Sequence, residues 1–363
     1  MNVLILTTEA YGGYGGIALY NRDLAEALVT NQKIKNVVII PRNIPGPMSH
    51  IPKNVYFLTH AAGSKLKFII SAFHHISRRF DLIICGHINL LPIVVFFNLF
   101  KRRPLALIVY GIDVWKQPNY LARYCLKGVN AIWSISAITR DNMNKWARLP
   151  KHIYTILPNA IHLEQYQKKI DTQYLINRYD LEGCEIIMTL GRLSSSERYK
   201  GIDEVLEVMP ALLKIKPKLK YILAGDGSDL TRLKDKVVSL GVVDSVIFTG
   251  MIDEKEKTAH FMLADAYVMP GYGEGFGFVY LEALACGVPC VGSKVDGSRE
   301  ALRGGSLGEL VDPRDPRAIM QGILTALSKR KETPSGLDYF SWPSFLTRIN
   351  GAIRAIENSI DKI

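Results

Sequence analysis

Two glutamates in a glycine-rich setting are the residues best placed for chemistry in this 363-residue chain. They sit in Pro270-Gly271-Tyr272-Gly273-Glu274-Gly275-Phe276-Gly277-Phe278-Val279-Tyr280-Leu281-Glu282-Ala283, directly after a strand-like run, Ala266–Met269. The glycines make a pliant loop, and 277–285 reads as the helix after it. The backbone N–H groups of Phe276, Gly277, Phe278 and Val279 would then point at a phosphate. Glu274 and Glu282 are eight residues apart, about 12 Å along a helix. That span suits one extended ligand, each carboxylate accepting from a pair of hydroxyls. Taken alone, Glu282 would read as a solvated helix position.

A second constellation precedes it. Gly191-Arg192-Leu193 ends another strand-like run, and Lys200-Gly201 opens a helix. Arg192, a planar fork, and Lys200, a point charge, can converge over that strand end as a clamp for a diphosphate. Singly, each reads as a surface cation. Ala224-Gly225-Asp226-Gly227 is a tight turn at the next strand end, either ordinary or a close approach to a ligand. Near the start, Tyr11-Gly12-Gly13-Tyr14-Gly15-Gly16 opens a helix whose N-terminus favours an anion, or forms a turn with no ligand. It departs from the Gly-x-Gly-x-x-Gly dinucleotide spacing, and no Walker-type loop is present. No Asp-x-Asp occurs either, so no metal site is expected and the neutralising cations should be side chains.

These residues need strand ends to hold them, and the chain supplies them. Short apolar runs at Val3–Leu6, Val37–Ile40, Leu82–Cys85, Leu105–Val109, Ala131–Ser134 and Ile153–Ile156 alternate with helical patterns at Ile17–Val29, Leu66–Arg78, Leu90–Leu99 and Ile138–Trp146. After a break at Leu157-Pro158-Asn159-Ala160-Ile161 and a polar stretch through Lys169, the alternation resumes with Ile186–Leu190, Lys220–Ala224, Val246–Thr249, Ala266–Pro270 and Val288–Gly292. This is an α/β pattern: two Rossmann-like doubly wound units, facing across a cleft and binding ligands at the carboxyl ends of their strands. The expected domains are 1–165, 166–338, and a final helix within 339–363 that packs back on the first.

Hydrophobic residues make up 48% and charged residues 22%, which excludes a disordered or fibrous chain. The longest apolar stretch, Ile88 to Phe100, is too short and interrupted to cross a bilayer. Five cysteines without a Cys-x-x-Cys pair fit buried thiols better than disulfides or zinc. Met1-Asn2-Val3-Leu4-Ile5-Leu6 reads as a first strand and not a signal peptide, so a cytoplasmic location is expected.

At this point the chain resembles family 4 of the retaining glycosyltransferases. Glu274-Gly-Phe-Gly…Glu282-Ala-Leu-Ala-Cys-Gly-Val-Pro289 matches its glutamate–seven residues–glutamate signature. Gly191-Arg192-Leu193…Lys200-Gly201, Ala224–Gly227, Ala264-Asp265…Pro270, Pro158–Ile161 and Gly297-Ser298-Arg299-Glu300 are similar to its other blocks. The resemblance implies a GT-B fold and transfer of a hexose from a nucleotide sugar with retention, with no cofactor beyond that cosubstrate. It implies that Arg192 and Lys200 hold the pyrophosphate, Glu274 the donor hexose and Glu282 the ribose. It also implies that the backbone of Phe276–Val279 meets sugar and phosphate, that the loop at Met251-Ile252 holds the base, and that Gly15 and Gly16 approach the phosphate from the first domain. Where the family usually has His-Gly-x-Asp, this chain has Tyr110-Gly111-Ile112-Asp113. Tyr110 is a weaker acid–base group near neutrality than an imidazole. Asp113 is an acceptor-side or orienting residue, or a structural turn.

The expected donor is UDP-glucose or another UDP-hexose, with GDP-mannose second, and the expected acceptor a glycan or lipid-linked molecule in polysaccharide or glycolipid assembly. The competing readings are a nucleotide-sugar epimerase of the same architecture and a basic nucleic-acid-binding protein, the latter without any recognisable binding signature. Charge bears on the choice. The net charge is +11, and it is uneven: residues 1–165 carry +12 and residues 166–363 carry −1. Lys65, Lys67, Arg78, Arg79, Lys101, Arg102 and Arg103 flank apolar helices in the first half. No nucleic-acid partner is expected. The basicity points to a peripheral enzyme on the inner face of the cytoplasmic membrane, docking on anionic lipid, or to a plain solvated surface.

Overall fold

The computed structural model describes residues 1–99, 101–166, 168 and 170–360. Phe100, the end of the expected apolar stretch, and Lys169, the end of the expected polar linker, lie outside them. The chain forms two compact units, Met1–Ala160 with the closing helix Trp342–Ile360, and Ile161–Ser341.

The first unit is built on seven parallel strands, β1 (Asn2–Thr7), β2 (Asn36–Pro41), β3 (Val55–Phe57), β4 (Leu82–Gly86), β5 (Leu105–Val109), β6 (Ala131–Ser134) and β7 (Tyr154–Ile156), in the order β3-β2-β1-β4-β5-β6-β7. Ile5 of β1 lies between Ile39 and Ile84 of its two neighbours. All five residues of β4 and of β5 are buried, which explains their unbroken apolar runs: helices cover both faces of a parallel sheet.

The second unit has six parallel strands, β8 (Glu185–Leu190), β9 (Leu219–Ala224), β10 (Val246–Gly250), β11 (Ala266–Val268), β12 (Cys290–Ser293) and β13 (Glu309–Val311), ordered β10-β9-β8-β11-β12-β13. The winding reverses between β8 and β11. The loops leaving these two strands therefore open side by side. Both units are doubly wound Rossmann-like sheets, as the GT-B expectation requires. The sequence pattern missed β3 and β13, two of the three-residue strands at the sheet edges.

The division falls at 160/161 and 341/342, and not at 165/166 and 338/339. The physical reason is a tie within the second unit. The Ile161 N–H donates to the Phe340 carbonyl at 2.8 Å, and the Phe340 ring packs edge-on against Phe276 at 5.5 Å. The closing helix buries Phe345, Ile349, Ala352, Ile353 and Ile356 along one face. It lies against the helix Gly15–Thr30, with the Phe345 ring 5.9 Å from Tyr20 and Asn31 bonded to Asn350 at 2.7 Å. Among the described residues, no helix is long and apolar enough to cross a membrane.

Candidate functional site

The switch point of the second unit brings its predicted cations and first carboxylate together by sewing two loops into one. Gly201 has φ +83°, and a Cβ there would collide with the Pro270 carbonyl. The Tyr199 carbonyl accepts from the Tyr272 N–H at 2.8 Å. Residues 199–201 and 270–272 are thus held backbone to backbone. Lys200 in turn reaches over the end of β8, its Nζ 3.2 Å from where a Cβ on Gly191 would stand. Burial raises the Glu274 carboxyl above its ordinary range, while Lys200 and the N–H groups of Phe276 and Gly275 pull it back.

Arg192 and Lys200 do converge, but not as an open clamp. Glu197 sits between them: one carboxylate oxygen pairs with Arg192 and the other with Lys200 Nζ at 2.7 Å. Lys200 and Glu197 are largely buried, and Arg192 is largely exposed. Sequence reasoning passed over Glu197. The available signal was an acid three residues before Lys200 in a loop otherwise poor in carboxylates.

Glu274 lies outside the helix, which runs from Phe278 to Ala285, so the 12 Å helical spacing to Glu282 does not apply. The Phe276 N–H is already engaged by the Glu274 carboxylate, and its ring is buried against Phe340. Gly277 caps the helix in the left-handed region with no side-chain hydrogen bond, so Phe278 and Val279 begin a helix without a side-chain cap. Such a start suits an anion. The loop is held from behind by Asp296, also missed. Its Oδ2 accepts from the Glu274 N–H at 3.0 Å, and its Oδ1 from the Ser298 N–H at 3.0 Å and the Ser298 hydroxyl at 2.6 Å. Gly297 must be glycine here, because a Cβ would run into the Gly275 carbonyl. Burial pushes the Asp296 carboxyl up to about 7 against the pull of Ser298.

Glu282 is not a solvated helix position. It is 2% exposed, and its Oε1 accepts from the Tyr166 hydroxyl at 2.9 Å and pairs with Lys257 Nζ at 2.7 Å. Burial raises its carboxyl, with Lys257 the largest opposing influence. Lys257 lies on the helix Glu254–Leu263, which follows the Met251-Ile252 loop. One element thus sets both the loop and the carboxylate. Met251 itself is 79% exposed just beyond β10.

In the first unit the glycine-rich loop divides into two parts. Gly12 is crowded by Ile44 and Gly46, and Gly13 by Ala18 and Glu9, whereas Gly15 and Gly16 face open space. They start the helix Gly15–Thr30, which Tyr14 leaves without a side-chain cap. Tyr110 is engaged within the unit. Its hydroxyl donates to Asn21 Oδ1 at 2.8 Å in a buried network with Thr7, and burial lifts the phenol well above its ordinary value. The Asp113 carboxylate accepts from the Tyr110 N–H at 3.2 Å, as a structural turn would require, and burial pushes it up to about 7.

Residues 177–338 match the family model described as Glycosyl transferases group 1. The chain is 33% identical over 232 residues to a GDP-mannose-dependent alpha-(1-6)-phosphatidylinositol monomannoside mannosyltransferase of Mycolicibacterium smegmatis, covering 61% of this chain and 60% of that one. It is 32% identical over 179 residues to the alpha-monoglucosyldiacylglycerol synthase of Streptococcus pneumoniae, covering 48% and 39%. The matches therefore span less than two thirds of either relative. A solved structure of Anabaena HepE in complex with UDP and glucose superposes with a TM-score of 0.76 at 18% identity, covering 98% of this chain and all of that one. Sucrose-phosphate synthase from Thermosynechococcus elongatus gives 0.75 at 20% identity, covering 99% of both chains. These two share the fold.

Proposed function

For a chain whose residues 177–338 match the group 1 glycosyl transferase model, we propose transfer of a hexose from a nucleotide sugar to a glycan or lipid-linked acceptor, with retention at the anomeric carbon. The observation that carries this is the sewn pair of loops that sets Lys200 beside Glu274 at the switch point of the second sheet. A UDP-hexose is the first donor choice and GDP-mannose the second. The HepE complex with UDP and glucose and the GDP-mannose-dependent relative speak for one each. The lipid substrates in the curated relatives' names support a lipid-linked acceptor.

The chemistry follows from where charge develops. Breaking the bond between the anomeric carbon and the diphosphate leaves negative charge on the leaving group. Arg192, Lys200 and the uncapped helix start at Phe278 and Val279 would stabilise it. Glu274 accepts from the sugar hydroxyls and Glu282 from the ribose, while the Met251 loop meets the base. The leaving phosphate oxygen takes the acceptor's proton on the same face, so no enzyme nucleophile is required. Metal independence fits a chain without Asp-x-Asp.

The test is a thermal-shift panel of nucleotide sugars followed by a nucleotide-release assay. A donor at 100 times its Kd should add about 2.7 kcal/mol of stability. Acceptor-dependent nucleotide release that persists in EDTA supports the proposal. An epimerised donor without nucleotide release replaces it with the epimerase reading, and activity abolished by EDTA and restored by Mn²⁺ overturns metal independence.

A further inference from the structure

We propose that one face of the first unit, formed by the helices Lys65–Ile76, Leu91–Asn98 and Tyr120–Cys125, is a docking surface for an anionic phospholipid bilayer. The first of these helices is apolar on two sides. Phe68, Ala72 and Ile76 are buried in the core of the unit. On another side, Leu66, Ile69, Ile70 and Phe73 repeat at the spacing of a second helical stripe. They stand 66%, 37%, 58% and 59% exposed. A surface helix of a globular protein carries polar residues there.

The stripe continues onto its neighbours. The Phe73 ring packs edge-on to Phe97 at 5.2 Å, and Phe97 to the exposed Phe96 at 5.5 Å. On the third helix, Tyr120 and Tyr124 stack at 6.4 Å, and both are exposed, as is Leu121 between them. Patches of this kind mark interaction sites.

The charge around the face selects the occupant. Lys65 and Lys67 lie on the first helix, Arg78 and Arg79 follow it, and Lys101, Arg102 and Arg103 follow the second. Among the described residues, none of Lys65, Lys67, Lys101 and Arg102 pairs with a carboxylate. A second copy of this chain would set one basic face against another. An acidic polysaccharide would answer the cations but leave the apolar stripe in water. A bilayer with anionic headgroups presents phosphate and acyl chain together across a plane, which matches both features. The proposal does not depend on the transferase reading, since none of these surface residues is among those assigned to the donor and the surface can be tested without one.

The experiment is co-sedimentation of the full chain with vesicles of phosphatidylcholine alone and of phosphatidylcholine mixed with phosphatidylglycerol, at low and high salt. Wild-type protein is expected on the mixed vesicles and largely released by salt. Each cation near such a surface strengthens binding up to about fivefold, so K101E/R102E should lower it by at least about tenfold. Ile70→Ser and Phe73→Ser, made separately and checked for unchanged thermal unfolding, should each lower it by about tenfold without changing its salt response. Equal binding to both vesicle types, or none to either, overturns the proposal. A concentration-dependent dimer in vesicle-free sedimentation that Ile70→Ser abolishes also overturns it, by giving the face to a second copy.

Discussion

In the first unit, Lys65, Lys67, Lys101 and Arg102 stand around exposed apolar side chains with no carboxylate partner among the described residues. In the second, Arg232 closes on Asp203 and Asp229, Arg198 on Asp229, and Lys236 on Asp203 and Glu207. Arg232, with Arg198 behind it, holds the Asp229 carboxyl at about 2. Even the cations assigned to the donor, Arg192 and Lys200, share an internal acid. Unpaired cations act collectively as a field and weaken as salt rises. Paired and partly buried ones act individually, as donors already aimed. The first arrangement suits an extended partner, and the second suits one small anion.

The largest expected effect would break this contrast at its centre. Lys200→Ala should cost about 10²–10³ in kcat/KM, the scale of removing one preorganised charge donor at a developing anion. Arg192→Ala, being more exposed, should cost about tenfold. K101E/R102E should change turnover on a water-soluble acceptor by less than about twofold. Equal losses in steady-state kinetics on both sides would erase the distinction between the units, and normal turnover of Arg192→Ala at saturating donor would end its role.

A smaller effect lies where the two units behave alike. Asp113 in the first and Asp296 in the second are each pushed from 3.8 to about 7 by burial. The folded form therefore keeps its proton to higher pH than the unfolded chain. Stability from each group is complete below pH about 4 and is lost as pH rises to about 7, at up to about 1.4 kcal/mol per pH unit. Urea unfolding across that window should show the decline, and Asp113→Asn and Asp296→Asn should each flatten it. An unchanged slope in either variant would remove that carboxylate from the account.

A further effect concerns the internal acid. Glu197→Gln removes the negative charge shared by Arg192 and Lys200 and should tighten UDP or GDP binding by about tenfold, measured by titration calorimetry. Weaker binding would show that Glu197 orients the two cations more than it competes for them.

Much of the architecture was legible because buried parallel strands write themselves as unbroken apolar runs. β1, β4, β5, β8 and β9 all appear that way, whereas β3 and β13 bury only one residue each and carry no such run. The residues of the candidate site were legible by type: Arg192, Lys200 and Glu274 stand at strand ends or helix starts where glycines cluster, and Glu282 lies within the helix that follows. Their partners were not. Lys257 meets Glu282 from 25 positions away, and Asp296 meets Glu274 from 22, distances in sequence over which no local period exists.

Sequence alone therefore determined the fold class, the placement of chemistry at strand ends and the uneven distribution of charge, because periodicity, glycine and charge are local properties of a chain. Tertiary structure decided the rest. It paired Arg192 and Lys200 with a shared Glu197, buried Glu282 against Lys257, enclosed the Tyr110 hydroxyl with Asn21, and left Leu66, Ile70 and Phe73 facing outward. Burial and pairing depend on which segments meet, and strand order, which places β8 beside β11 and not beside β10, is a property of the packed sheet.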